Sequence, residues 1–314
     1  MGINLFQFLA GTVLLYYGAE LLIIGSKSIA EKFNIPPVVV GISLVAFGTS
    51  LPELIVSIMA ILRDDPGIVV GNVVGSNIAN IGLVLGVTAM LTPIFFSFNK
   101  IKFDLYYLLF ITLLPLFFIY LGDLVFWQGI FFILLLAGYC WKLYKKDNII
   151  YDDTDILSAD GISSISLKII LGIAGLGLGA HFFVLGAKGI AISLGISSLV
   201  IGMSIVALGT SLPELAASIA AVKHNQTSFV IGNIIGSNIM NIVAVLGFTI
   251  LIKPISIDST DMMTQGLFMI ILTVGLFMLL KFKGGVTKFS AGILICIYFI
   301  FLYFNFQVDV GLEL

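Results

Sequence analysis

The chain has 314 residues, 60% of them hydrophobic and only 10% charged, with a formal net charge of −2. A soluble domain carries nearer a quarter of its residues as charges, so this balance and a mean hydropathy of +1.18 exclude one. No basic cluster with interleaved aromatics points to nucleic acid. No nucleophile–base constellation points to an enzyme, since His181 lies in an apolar run and His224 in a polar KHNQ loop.

Apolar runs long enough to cross a bilayer as helices fall at 3–25, 37–61, 68–92, 103–121, 124–144, 166–187, 198–222, 229–252, 264–281 and 288–305. The first could pass for a signal peptide. It lacks a basic leading region, and its GAE at 18–20 recurs as GAH at 179–181, so it reads as a mature span. Cys140 and Cys296 both lie inside apolar runs, a poor setting for a disulfide or a metal site. The stretch 145–165 is the longest polar segment. Asp152, Asp153 and Asp155 fall within it, without the Gly and terminal Glu spacing of a calcium loop, and it reads as a solvated linker.

Two pairs of segments are nearly the same. GISLVAFGTSLPE at 41–53 matches GMSIVALGTSLPE at 202–214 in 10 of 13 positions. GNVVGSNIANIG at 71–82 matches GNIIGSNIMNIV at 232–243 in 8 of 12, and both pairs share an offset of 161. A common offset means a duplicated unit. The expected fold is all-α: ten transmembrane helices as two five-helix repeats, 1–144 and 166–314, joined by the linker 145–165. An odd number of spans per repeat forces the second copy to enter from the opposite face, making the repeats inverted. With the N-terminus outside, 12 Lys/Arg residues fall on the cytoplasmic side and 3 (Arg63, Lys188, Lys253) on the other. The basic residues therefore place both termini outside and the linker inside.

The repeated segments hold the chemistry. Pro52 and Pro213 lack an N–H, and Gly48 and Gly209 lie one turn earlier, so each copy contains a broken helix. Broken helices in membranes occur where backbone oxygens are satisfied by protein, water or ions. Ser50, Glu53 and Ser57 share one helix face, as do Ser211, Glu214 and Ser218. Asn72, Ser76 and Asn80 make a polar stripe on the next span, repeated by Asn233, Ser237 and Asn241. Gly71, Gly75, Gly82 and Gly86 on that span permit close helix approach. Gly, Ser and Asn could merely join helices. Two carboxylates at equivalent mid-span depth do more than that, because an ionisable group in a membrane is expensive and functional by default. No Lys or Arg lies mid-span to neutralise Glu53 and Glu214. Protons or metal cations must supply the positive charge. Hydroxyls, amide oxygens and carbonyls are hard ligands, which favour Ca²⁺, Na⁺ or Mg²⁺ over Zn²⁺ or Cu⁺. Two bidentate carboxylates plus one oxygen each from Thr49 and Thr210 would give about six ligands, within the range for Ca²⁺. With both acids bare, an occluded state would hold two uncompensated charges, so only loaded forms would alternate.

At GTSLPE (48–53 and 209–214) and GNxxGSNIxN (71–80 and 232–241) the chain resembles the cation/Ca²⁺ antiporter superfamily, most closely its prokaryotic sodium/calcium exchangers. The resemblance implies Glu53 and Glu214 as central Ca²⁺ ligands, assisted by Thr49 and Thr210. It implies Na⁺ sites lined by Ser50, Ser76, Ser211 and Ser237 with the carbonyls of Ala46 and Ala207, and Asn80 and Asn241 closing the middle. It also implies that the first and sixth helices slide across the remaining core to switch access. One departure stands at Asn241, where such exchangers often carry Asp. If that Asp is protonated in the working protein, Asn replaces it nearly isosterically. If it is ionised, this chain has one negative charge fewer and a different Na⁺ count or coupling ion. A second asymmetry sets Glu20 against His181. Either could tune a pH response or an ion entrance, or be a wet residue or the partner of a nearby polar group.

The expected function is secondary antiport of Ca²⁺ against Na⁺ by alternating access, with the ions bound between the two repeats near the bilayer midplane. The rival is Ca²⁺/H⁺ antiport on the same two glutamates, and a passive cation channel follows behind it. The implied small molecules are Ca²⁺ and Na⁺ as transported ions, with no organic cofactor. The expected setting is the inner membrane of a cell, with the lipid bilayer as surroundings and one chain sufficient for the site.

Overall fold

The computed structural model describes residues 2–145, 161–194, 209–256 and 259–310. In chain order the elements are α1 (Gly2–Lys32), α2 (Pro37–Thr49), α3 (Leu51–Leu62), α4 (Pro66–Leu91), β1 (Ile94–Phe95), α5 (Phe98–Leu121) and α6 (Phe126–Tyr144). They continue as α7 (Ile162–Ser193), α8 (Leu212–Lys223), α9 (Thr227–Ile252), α10 (Ser259–Lys283), β2 (Gly285–Val286) and α11 (Lys288–Val310). Among the described residues seven helices are long and apolar enough to cross a membrane, or eight if the bent pair α2–α3 is one span; the apolar part of α11, Lys288–Phe304, is shorter. The protein is thus an all-helical, multi-pass membrane protein. The start of the span expected at 198–222, Ala207 with it, and residues 146–160 of the linker, including Asp152, Asp153 and Asp155, lie outside the described residues.

The exposed residues of α5 show what surrounds it. Tyr106, Phe110, Leu113, Phe117 and Tyr120 are all exposed and recur at helical spacing. A soluble helix would place polar side chains on that face; here it suits lipid.

The chain forms two compact units, Met1–Leu51 with Lys145–Gly236 and Pro52–Tyr144 with Ser237–Leu314. Neither is one of the sequence repeats, and each takes a piece from both. In the first unit α1 and α7 run antiparallel in contact along most of their length. Glycines seven residues apart make this possible: Gly11, Gly18 and Gly25 on α1, and Gly172, Gly179 and Gly186 on α7. A Cβ on Gly18 would stand 2.7 Å from the backbone nitrogen of Leu176, and one on Gly179 2.6 Å from that of Leu15. No side chain fits there, so the backbones meet directly. The two glycine sets are related by the same offset of 161. On α9, Gly232 and Gly236 admit α2 in the same way, with Cβ positions 2.5 Å from the Val38 oxygen and 2.3 Å from the Ile42 oxygen.

In the second unit Gly82 and Gly86 of α4 pack on Tyr298 and Ile295 of α11. β1 pairs antiparallel with β2, and Leu124 bridges Ile255. A buried acid outside the near-identical segments, Asp104 of α5, accepts the hydroxyl of Tyr139 at 2.9 Å.

Candidate functional site

Both copies break at the expected place. α2 ends at Thr49 and α3 begins at Leu51, with Ser50 between them at φ −85°, ψ 2°. Ser211 precedes α8 with φ −87°, ψ 3°. The same residue type takes the same non-helical conformation in each copy. A new helix then starts, and its first turn holds the acid, Glu53 in α3 and Glu214 in α8. The unpaired N–H groups of a helix start favour negative charge by ~0.3–1 kcal/mol. That offsets only part of the cost of burial, which is complete: both glutamates are 0% exposed.

Within the first unit Ser50 Oγ donates to Glu214 Oε1 at 3.3 Å. Thr49 Oγ1 donates to Asn233 Oδ1 at 3.2 Å and lies 3.3 Å from the Ala46 oxygen. That oxygen also accepts the Ser50 N–H at 3.0 Å. Asn233 Nδ2 donates to the Glu214 backbone oxygen at 3.4 Å and to Ser218 Oγ at 3.2 Å. Ser211 is buried, and its hydroxyl has no hydrogen-bond partner among the described residues. Thr210 is half-buried at the break.

Within the second unit Asn72 repeats the Asn233 arrangement. Its Nδ2 donates to the Glu53 backbone oxygen at 3.0 Å and to Ser57 Oγ at 2.8 Å. Ser76, Asn80, Ser237 and Asn241 are all buried. Neither amide atom of Asn80, nor Asn241 Oδ1, finds a hydrogen-bond partner among the described residues. Asn80 opens a π-helical turn, Asn80–Leu85, and Asn241 opens its counterpart, Asn241–Leu246. Such widened turns appear often at functional sites. Asn77 and Asn238, one residue beyond the serines, are equally buried. Reading α4 as a stripe spaced by four passes over both, although the GSN they close is repeated intact.

Glu20 of α1 is the partner of nearby polar groups, at the end of α8 and just past it. It accepts Lys223 Nζ on Oε1 at 2.5 Å and faces His224 Nε2 through Oε2 at 2.5 Å. His181 lies exposed, edge-on to Phe182. Among the described residues no three of His, Cys, Asp and Glu converge as a metal site. The donors at the repeated segments are carboxylate, hydroxyl and amide oxygens, a set suited to hard cations.

Paired helix breaks, each followed by a buried acid and flanked by hydroxyls and amides, define a membrane protein of the cation-exchanger type. The chain belongs to the sodium/calcium exchanger protein family, which it matches twice, over residues 3–145 and 165–307. It is 38% identical to the uncharacterized membrane protein MJ0091 of Methanocaldococcus jannaschii over 81% of this chain and 84% of that one. It is 32% identical to the sodium/calcium exchanger MaX1 of Methanosarcina acetivorans over 98% of this chain and 99% of that one. Among solved structures it is similar to the sodium-calcium exchanger NCX_Mj soaked with 10 mM Na⁺ and zero Ca²⁺, with a TM-score of 0.82 and 35% identity over 95% of this chain and 97% of that chain.

Proposed function

We propose that this protein is a secondary antiporter exchanging Ca²⁺ for Na⁺ by alternating access. Glu53 and Glu214 are its charged Ca²⁺ ligands, with Thr49 and Thr210 beside them. Ser50, Ser76, Ser211 and Ser237, with the carbonyls of Ala46 and Ala207, take Na⁺, and Asn80 and Asn241 supply neutral oxygens. The ions bind between the two repeats near the bilayer midplane. One observation carries this reading: each repeat holds a fully buried glutamate at a helix start, among oxygen donors. Two ionised carboxylates in low dielectric cost several kcal/mol each unless compensated. One Ca²⁺ matches them in charge, and Na⁺ ions can replace it. A bare carrier would cross rarely, which couples the two fluxes.

The arrangement is ten spans in two inverted repeats, in a cell's inner membrane, with both termini outside. Four loop and end contacts support that parity. Asp64 with Lys253 and Leu124 with Ile255 each join loops assigned outside, and β1 with β2 joins loops assigned inside. Asn4, near the N-terminus, lies against Gly189, near the end of α7 that is assigned outside.

The test is ⁴⁵Ca²⁺ uptake into proteoliposomes loaded in turn with Na⁺, K⁺ or an acidic interior. Na⁺ loading is expected to drive uptake, and K⁺ loading is not. Uptake driven by the proton gradient alone would replace this reading with Ca²⁺/H⁺ exchange.

A further inference from the structure

We propose that Glu20, Lys223 and His224 form a one-sided latch: they hold α1 against the cytoplasmic end of α8 in one orientation of the carrier and part in the other. The inference rests on the proposed alternating access and adds to it a device outside the ligand set.

The cluster lies within one compact unit. Each carboxylate oxygen of Glu20 has its own partner on the α8 side: Oε1 accepts Lys223 Nζ at 2.5 Å, and Oε2 faces His224 Nε2 at 2.5 Å. Lys223 Nζ also donates to the Tyr16 hydroxyl at 2.5 Å and lies 4.7 Å from the centre of that ring. Tyr16 stands one turn before Glu20 on the same face of α1. The Glu20 side chain is 13% exposed, so this is not one of the solvated surface pairs that contribute little. The α8 side is held in place by its own helix end. The N–H groups of His224 and Gln226 bond the carbonyls of Ala220 and Ala221, and Asn225 ends the helix at φ 55°.

The other contacts of α1 give this tie its meaning. Along its glycines α1 meets α7 backbone to backbone, so the two helices move as one body. The Glu20 cluster joins α1 to α8 through side chains at one level, which can part without unpacking a helix. α8 carries Glu214 in its first turn and Lys223 in its last, about 13.5 Å apart along the axis. Closing the latch draws α1 onto the inner end of the helix that holds the acid. That bars the cytoplasmic approach to Glu214 between these two helices and leaves the outer approach. The second copy has no equivalent. At the offset of 161, Tyr16, Glu20, Lys223 and His224 correspond to Gly177, His181, Leu62 and Arg63. None of these is an acid, so the same tie cannot form there. Inverted repeats with a latch on one face have orientations of unequal stability, and the one closed to the cytoplasm is favoured.

The test measures ⁴⁵Ca²⁺ exchange against unlabelled Ca²⁺ from each face of the membrane, in vesicles of both sidedness. An orientation populated only part of the time weakens apparent affinity on its own face by that fraction. In E20Q and K223Q the half-saturation at the outer face should rise and that at the cytoplasmic face should fall. The ratio of the two should change about tenfold, ~1.4 kcal/mol. A merely structural contact would move both in the same direction. Lys223 is half exposed at a helix end, so K223Q carries the comparison where E20Q does not fold. A second measurement locks the latch. In E20C/K223C on a C140S/C296S background, a short bis-methanethiosulfonate bridge should stop exchange, and reduction should restore it. Half-saturations that move together, or not at all, would overturn the proposal. So would a fully bridged protein that exchanges at the unbridged rate. Exchange of Ca²⁺ for Ca²⁺ needs no Na⁺: a parent that a Na⁺ gradient fails to drive would sink the proposed coupling, while the two half-saturations would still decide the latch.

Discussion

The hydroxyl of Ser50 donates to the carboxylate of Glu214. Ser50 comes from the first repeat and Glu214 from the second, yet both belong to one compact unit. The duplicated segments are therefore interleaved, with the break residue of one copy serving the acid of the other. A hydrogen bond to a charged group is worth ~1.5–3 kcal/mol, more than most pairs of small polar side chains would supply. Ser50 can make it because its non-helical backbone interrupts the helix at that point.

Removing either buried charge should stop exchange without unfolding the protein. Glu53→Gln and Glu214→Gln each keep the shape and delete the charge that Ca²⁺ matches. Na⁺-driven ⁴⁵Ca²⁺ uptake is expected to fall by at least about 100-fold, ~2.7 kcal/mol. The thermal midpoint should hold or rise, because a desolvated charge has been taken away. Uptake at the parent rate in both variants would remove these acids from the mechanism.

The two hinge asparagines should differ in weight. Asn72 and Asn233 make matching bonds to a glutamate backbone oxygen and a serine hydroxyl. Asn233 also accepts the hydroxyl of Thr49. Each alanine variant leaves buried polar atoms without their donor, at ~1–3 kcal/mol. Asn233→Ala should lower the thermal midpoint further than Asn72→Ala, because a third bond is lost with it. Equal midpoints would mean that the Thr49 bond contributes nothing.

Much of this site was legible in the sequence because duplication marks positions that chance does not. The shared offset singled out Glu53, Glu214 and their serines, and proline chemistry located the breaks. The pairings were not legible. Asn72 reaches Glu53 because a turn at 63–65 sets how α3 and α4 align, and no periodicity reports that register. Asn77 and Asn238 fell outside a stripe spaced by four. The π-helical turns at Asn80 and Asn241 were invisible because a change of helical pitch over six residues leaves the hydrophobic pattern almost unchanged. The glycines of α1 and α7 were readable as a seven-residue repeat, but only the packed structure identifies each as the partner of the other set.

That seam gives a sharp contrast between glycines. Gly18→Ala and Gly179→Ala would each push a methyl to within 3.0 Å of a facing backbone. Overpacking of this kind costs ~1–3 kcal/mol. Gly138 of α6 is exposed, and no described atom comes within 4 Å of its Cβ position. Gly138→Ala should be neutral or slightly stabilising, since Ala favours helix over Gly by up to ~1 kcal/mol. The measurement is the thermal midpoint in detergent. An equal loss in all three variants would show that helix propensity, not backbone contact, decides the outcome.

The Glu20–Lys223 pair should add a stability term that disappears in alkali. Lys223 lies just past the apolar run. Its hydrogen bond to Glu20, and then that to Tyr16, hold its ammonium above the ordinary lysine value. A lysine raised in the folded state contributes stability that is fully present below its unfolded pKa, about 10.4. That contribution is lost as pH climbs through the higher folded value. Lys223→Gln lacks it at every pH. The gap in thermal midpoint between parent and variant should therefore stay level from neutral pH to about 10.4 and shrink beyond it. His224 also faces Glu20, so the comparison is best repeated in a His224→Gln background, where Lys223 alone pairs with the carboxylate. A gap that widens with alkali, or that never changes, would mean the pair does not stabilise the fold through the lysine's charge.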